Sequence, residues 1–276
     1  MASLVTLLLQ GPAGWRQLYR DVRDRRRFEA LPRAVCDTAA LGAITRVNLS
    51  EILNAPECHA DWPAVERQLT EVGISNRGGS NSGDSRAVYY LVRYLRPQFI
   101  LEIGTRLGAT TARMALALQA VTVGGQGRLI TVDIDDVNAD AQWSSANRYS
   151  PRESIERLGM GRYVSFVTRD SLNYLARVTE KFDLIFLDGS HDAWVVYQEL
   201  PLALKALRPG GFILLHDYYP MLRPLWEEAE PIAGPYLAIR RLQHEGVPIQ
   251  VLPFGNLPWW ARTNSSATSL ALVGAK

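Results

Sequence analysis

From Ser85 onward the sequence alternates short apolar runs with amphipathic stretches, and that alternation decides what the chain can fold into. Phe99–Ile103, Leu129–Val132, Val164–Val167, Leu184–Leu187 and Phe212–Leu215 are runs of four or five residues that are apolar almost throughout. Continuous rather than alternating hydrophobicity means burial on both faces, as in a parallel sheet covered by helices. Helical patterns fill the gaps at 108–122, 151–158, 171–178 and 193–207, and the last meets Arg208-Pro209-Gly210-Gly211, a stop followed by a turn. This spacing predicts an α/β, doubly wound, Rossmann-like sheet. Two further runs, Ile249–Leu252 and Leu270–Val273, have no obvious helix between them and predict a closing antiparallel pair at the sheet edge. Seven strands result.

Residues 1–84 read differently, as a mainly helical extension with helical segments near 15–30 and 62–73, and the sheet domain is expected over 85–276. The stretch Asn76–Gly83 is a loop by composition, able to serve as a lid or as a linker. Leu4–Leu9 has no cationic stretch before it and is too short to span a bilayer. It reads as a terminal helix packed on the domain or on a partner subunit. A surface anchor is the alternative, because Arg16, Arg20, Arg23, Arg25, Arg26 and Arg27 follow.

Composition narrows the function classes. Thirty Lys and Arg against 28 Asp and Glu leave a net charge of +2, too balanced for a protein that coats nucleic acid. Cys36 and Cys58 form neither a disulfide framework nor a CxxC pair, which suits a reducing cytoplasm.

Ligands of open α/β sheets bind beyond the carboxyl ends of the strands, so chemistry is sought there. The first strand runs into Glu102-Ile103-Gly104-Thr105-Arg106-Leu107-Gly108-Ala109-Thr110-Thr111. Gly104 permits a tight turn, and Gly108 lets the next helix start close to the sheet. A pyrophosphate fingerprint would carry a middle glycine where Arg106 stands, and the acid Glu102 suits a cationic ligand better. This E-x-G-x-x-x-G pattern resembles motif I of the class I S-adenosylmethionine-dependent methyltransferases. The second strand ends at Asp133, and the third is followed by Arg169-Asp170-Ser171. The resemblance implies that Asp133 accepts bonds from the ribose hydroxyls and that the Asp170-Ser171 segment binds the adenine. It places Glu102, Gly104, Thr105, Gly108, Thr110, Asp133, Asp170 and Ser171 at the cofactor.

The fourth strand ends in Asp188-Gly189-Ser190-His191 and the fifth in His216-Asp217-Tyr218-Tyr219. Neighbouring parallel strands lie about 4.8 Å apart, so these ends can converge on one ion or substrate. Together with Leu207-Arg208-Pro209-Gly210-Gly211 they resemble the metal-dependent O-methyltransferases of antibiotic and sugar tailoring, over about residues 85–220. That resemblance implies metal ligands at Asp188, His216 and Asp217, a general base at His191, and a hydroxylated small molecule as acceptor. A metal ion lowers the pKa of an alcohol, and an imidazole of pKa about 6.5 can take its proton.

His216 departs from the pattern, standing where relatives have Glu or Asp. Mg²⁺ prefers oxygen, whereas imidazole favours softer ions such as Mn²⁺, Zn²⁺ or Fe²⁺. Three readings stay open: His216 ligates such an ion, it steps aside and leaves a weak Mg²⁺ site, or no metal binds and His191 works with Asp217 alone. His59 and His244 read as structural or surface residues. Trp194, Tyr218 and Tyr219 either line an acceptor pocket or pack beneath the loops, and Trp259-Trp260 serves acceptor recognition or a dimer contact.

The reading is an S-adenosylmethionine-dependent O-methyltransferase, cytoplasmic and homo-oligomeric. Its rivals are a non-catalytic methyltransferase-like assembly protein and a nicotinamide-dependent oxidoreductase.

Overall fold

The computed structural model describes residues 22–74, 81–139, 143–144, 146–262 and 264–276. Leu4–Leu9, Arg16, Arg20 and the start of the Asn76–Gly83 stretch lie outside them. The strands are β1 (Phe99–Ile103), β2 (Arg128–Asp133), β3 (Val164–Thr168), β4 (Phe182–Leu187), β5 (Leu207–Leu215), β6 (Ile249–Asn256) and β7 (Ala267–Ala275). They form one sheet in the order β3-β2-β1-β4-β5-β7-β6. The first five are parallel, and β7 pairs antiparallel with both β5 and β6. The expected closing pair is therefore present, with the last strand inserted inside and β6 left at the edge.

Alternate residues of each strand feed opposite faces, as a period of two requires. Ile100, Leu184, Phe186 and Leu214 join a core beneath α2 (Pro56–Glu71), α3 (Ser82–Leu95) and α4 (Ala109–Val121). Leu101, Ile103, Ile185, Leu187 and Ile213 join the other, beneath α7 (Ala193–Ala206) and α8 (Gly234–His244). The shorter helices are α1 (Leu49–Leu53), α5 (Pro151–Arg157) and α6 (Ser171–Leu175).

The amino-terminal residues belong to both layers. Trp62, Val65 and Leu69 of α2 are buried in the first core, and Phe28 and Leu31 pack on the second. Between them the chain crosses the sheet end, where Leu41 bridges to Gly211 and Ala43 to Ala275. Residues 22–30 are helical, in keeping with the expected segment near 15–30.

Several boundaries differ from expectation. Helix α2 begins at Pro56, six residues before the expected start, because proline suits a first helical position whose N–H would have no partner. Ser82 and Gly83 open α3 rather than close a loop: the Asn81 side chain caps it, accepting from the Gly83 and Asp84 amides at 2.9 and 3.1 Å. The expected division at 84/85 thus falls in the first turn of a helix. Arg208–Gly211 is part of β5, where Leu207 pairs with Phe182 and an irregularity between Phe182 and Leu184 absorbs the Pro-Gly-Gly. Helix α8 was not among the expected helices; Pro235 stands in its first turn, where a missing N–H costs nothing, and Ala238, Ile239 and Leu242 bury one face.

No helix among the described residues is long and apolar enough to cross a membrane.

Candidate active site

The strand order reverses direction at β1, with β2 on one side and β4 on the other, and the chain leaves the carboxyl ends of these strands around a cavity of about 660 Å³. Close approach at its floor depends on glycine. At Gly104 φ is +99°, and a Cβ there would lie 2.2 Å from the carbonyl oxygen of Asp188. Gly108, at φ +72°, is the N-cap of α4, so that helix opens beside the cavity with Ala109 and Thr110 in its lining. Between the two glycines, Arg106 holds a left-handed φ of +46°, and its amide donates to Asp133 Oδ2 at 2.8 Å. That bond orients the Asp133 carboxylate at the lip.

Glu102 lies one layer down. It is 1% exposed and does not line the cavity; its Oε2 accepts from Thr111 Oγ1 and Thr131 Oγ1, each at 2.6 Å. Burial pushes its carboxyl up to about 8, against the two threonine hydrogen bonds. The sequence reading took Glu102 as an anion facing a cationic ligand. The geometry instead makes it a largely neutral brace joining β1, β2 and α4, because desolvation outweighs the two bonds. Thr131 Oγ1 also lies 2.5 Å from Thr105 Oγ1, which carries this brace up to the turn. Across the cavity, Asp170 caps α6 by accepting from the Asn173 amide at 3.0 Å, and both Asp170 and Ser171 line the wall. Gly104, Thr105, Thr110, Asp133, Asp170 and Ser171 thus share one cavity, while Glu102 and Gly108 support it from behind.

The other half of the same cavity holds Asp188, His191, His216 and Asp217. Asp217 sits at φ +52°, a strained conformation for an aspartate, and Ser269 of β7 donates to its Oδ1 at 3.2 Å. His216 is 5% exposed, with Nδ1 2.9 Å from Asp188 Oδ1 and 3.4 Å from Asp217 Oδ2. Its Nε2 lies 3.2 Å from Oδ2 of Asp84, a fully buried carboxylate of α3. Burial works against a charged ring here, but Asp188 and Asp217 beside it more than offset this and hold His216 well above the ordinary imidazole range. Burial likewise opposes ionisation of Asp217, yet the adjacent His216 charge pulls its carboxyl far below the usual range. His191 stands nearer solvent, Nε2 3.4 Å from Asp217 Oδ2.

The donor set suits a divalent cation. Asp188, His191 and Asp217 each offer a ligand atom within 4.8 Å of the others. His216 Nδ1 is buried and makes no aligned hydrogen bond among the described residues, although two carboxylates face it at 2.9 and 3.4 Å. Donors that share one ion at about 2.1 Å stand about 3 Å apart, so the two spacings put His216 Nδ1 within reach of an ion held by Asp188 and Asp217, beside the mutually close set Asp188, His191 and Asp217. The proton on Nδ1 would leave as a metal binds.

Residues 101–218, which span all these strand ends, match the family described as "Methyltransferase domain". This segment is a methyltransferase domain. The O-methyltransferase hkm8 of Aspergillus hancockii is 27% identical over 122 residues, 44% of this chain and 43% of that protein, so the chain spans about two fifths of that relative's length. Two solved structures share the fold of the methyltransferase domain and its flanks. The Bacillus cereus O-methyltransferase, in complex with SAH, superposes with TM-score 0.52 at 19% identity, covering 83% of this chain and 90% of that one. TomG, an O-methyltransferase from Streptomyces achromogenes involved in tomaymycin synthesis and crystallised with SAM, gives 0.50 at 19% identity, covering 83% and 89%.

Around the methyltransferase domain's cavity, Trp194 is in the lining, whereas Tyr218 and Tyr219 are buried outside it, packed on Tyr236 and Trp226. Trp259 packs on Tyr90 and under Arg86, and its Nε1 donates to the Gly83 carbonyl at 3.0 Å, while Trp260 is 67% exposed. His59 joins that cluster through Tyr90 and Arg86, a structural place. The sequence reading missed Asp84, Arg262 and Ser269, which surround His216 and Asp217. An acid three residues after an Asn N-cap reads as a capping pattern, and nothing in the sequence aims it at a strand end.

Proposed function

We infer that the chain transfers a methyl group from S-adenosylmethionine to a hydroxyl of a small molecule, a sugar or a natural-product alcohol or phenol. The carrying observation is the continuity of one cavity from Asp133 and Asp170 to Asp188, His191, His216 and Asp217. A nucleoside and an acceptor in that space would lie end to end, and about 660 Å³ is within the range of small-molecule sites.

In this reading Asp133 takes the ribose hydroxyls, held ready by the Arg106 amide. Asp170 and Ser171 border the adenine, and the turn at Gly104 lets the ligand approach the backbone. Asp188, His216 and Asp217 hold a divalent ion, which when bound supplies a Lewis acid that lowers the pKa of the acceptor hydroxyl. His191, exposed at the mouth and oriented by Asp217, accepts the hydroxyl proton. The remaining work is alignment of oxygen, carbon and sulfur.

Calorimetric titration of chelator-treated protein with S-adenosylmethionine and S-adenosylhomocysteine, with and without Mg²⁺ or Mn²⁺, tests this. Micromolar binding of both nucleosides is the expected result, with a metal-dependent heat when an acceptor is added. Folded protein that binds neither nucleoside overturns the reading.

A further inference from the structure

Asp84 is a carboxylate in an expensive place. It is 0% exposed, and its Oδ2 alone collects Asn81 Nδ2 at 2.5 Å, His216 Nε2 at 3.2 Å and Arg262 Nη2 at 3.2 Å. Its Oδ1 is buried and finds no hydrogen-bond partner among the described residues. Helix capping does not explain this arrangement, since the Asn81 cap is complete without burying the Asp84 carboxylate against His216. Three separate pieces of chain converge on it: α3, the end of β5 and the β6–β7 connection, whose Arg262 guanidinium lies 4.8 Å from the Trp226 ring. A buried carboxylate costs stability unless it is paired, and its partners here are the Asn81 amide, the Arg262 guanidinium and one nitrogen of His216.

A carboxylate that accepts from Nε2–H decides which ring nitrogen keeps the proton. With Nε2–H held, Nδ1 is the nitrogen left to give up its proton to a metal ion, and it is Nδ1 that faces Asp188 and Asp217. A histidine that ligates through one nitrogen while donating from the other to a carboxylate is a well-oriented, more basic ligand. We propose that Asp84 is a positioning residue that holds Nε2–H of His216, presents Nδ1 beside Asp188 and Asp217, and so makes this a site for nitrogen-accepting divalent ions such as Co²⁺ or Zn²⁺ in preference to Mg²⁺. The inference rests on the metal reading proposed above.

The test is Co²⁺ binding followed by visible absorption, with Mg²⁺ as competitor, on the full-length wild type and Asp84→Asn. Wild type should bind Co²⁺ about 100-fold or more tightly than Mg²⁺. Asp84→Asn should lose about 10–100-fold in Co²⁺ affinity, with Mg²⁺ affinity within about threefold and the Co²⁺ spectrum altered. Equal losses for the two ions, or none, overturn the proposal, because a capping or purely structural role does not discriminate between metals. A second measurement needs no variant: with ¹⁵N-labelled histidine and Zn²⁺, His216 should show a protonated Nε2 and a metal-shifted Nδ1, and the opposite tautomer overturns the proposal. Wild type that binds neither Co²⁺ nor Mg²⁺ overturns the metal reading itself, an outcome visible before any variant is made.

Discussion

The α-carbon of Gly104 faces the Asp188 carbonyl so closely that a single methyl group there would sit 2.2 Å from its oxygen. The contact joins the ends of β1 and β4, and with them the two halves of the cavity. Because the obstacle is backbone and φ is +99°, no rotamer change relieves it. Gly104→Ala should therefore lower stability by about 2–4 kcal/mol and abolish measurable S-adenosylmethionine binding in the protein that remains folded. Urea denaturation and calorimetry read the two effects separately, and unchanged nucleoside affinity would contradict the placement of the ligand over this turn.

His191→Gln should leave nucleoside and Co²⁺ affinity within about twofold of wild type, while turnover with a hydroxylated acceptor falls by about 10²–10⁴-fold. The separation follows from position. His191 is at the mouth, touching Asp217 only at 3.4 Å, whereas His216 is enclosed by carboxylates. Loss of Co²⁺ binding in His191→Gln would move the metal to the Asp188–His191–Asp217 set.

Glu102 makes stability depend on pH. Its carboxyl titrates at about 8 in the folded protein against 4.5 ordinarily, so folding favours the protonated form. For a raised acid, stability is complete below the unfolded value and declines as pH climbs through the folded one. Glu102→Gln keeps an acceptor for Thr111 and Thr131 but cannot ionise. It should be about 1–3 kcal/mol more stable than wild type at pH 9 and no more stable at pH 5. Denaturation midpoints at the two pH values check the crossing.

The two adjacent tryptophans should respond in opposite ways. Trp259 packs against Tyr90 at a centroid distance of 4.9 Å, carries Arg86 over its face at 4.2 Å and donates to Gly83. Trp259→Ala should cost about 2–4 kcal/mol. Trp260, exposed, should tolerate Ser within about 0.5 kcal/mol. Thermal unfolding of both variants tests this, and a large loss at Trp260 would mean that its exposed face is covered in solution.

The sheet was legible because its information is local. Runs such as Leu184–Leu187, buried on both faces, carry their signal in four consecutive residues, and every functional strand end follows such a run. The residues at those ends, Asp133, Asp170, Asp188, His191, His216 and Asp217, were read from that position together with a family resemblance, and all line one cavity. What escaped was depth and long-range pairing. Glu102 sits in a strand whose residues alternate between two covered faces, so the sequence marks the acid but not whether it looks at ligand or core. Asp84 meets His216 across 132 positions, and only the tertiary packing that sets α3 on β7, beside the end of β5, brings them together. Helix α8 escaped because its buried face is confined to a few small and aliphatic residues behind a Gly-Pro start.

Helix α4 touches the cavity with its first turn and the amino-terminal layer with the rest of its length. Ala109 and Thr110 are in the cavity wall, while Met114, Ala115 and Leu118 share a core with Trp62, Val65 and Leu69. A ligand that settles against that first turn loads a beam whose far end is clamped by residues 56–71. Filling the cavity should therefore slow amide exchange in α2, although no atom of α2 is among those that line it. The chain ahead of the sheet is in this sense the cavity's back wall, and any tightening of it would count in the free energy of binding at the front.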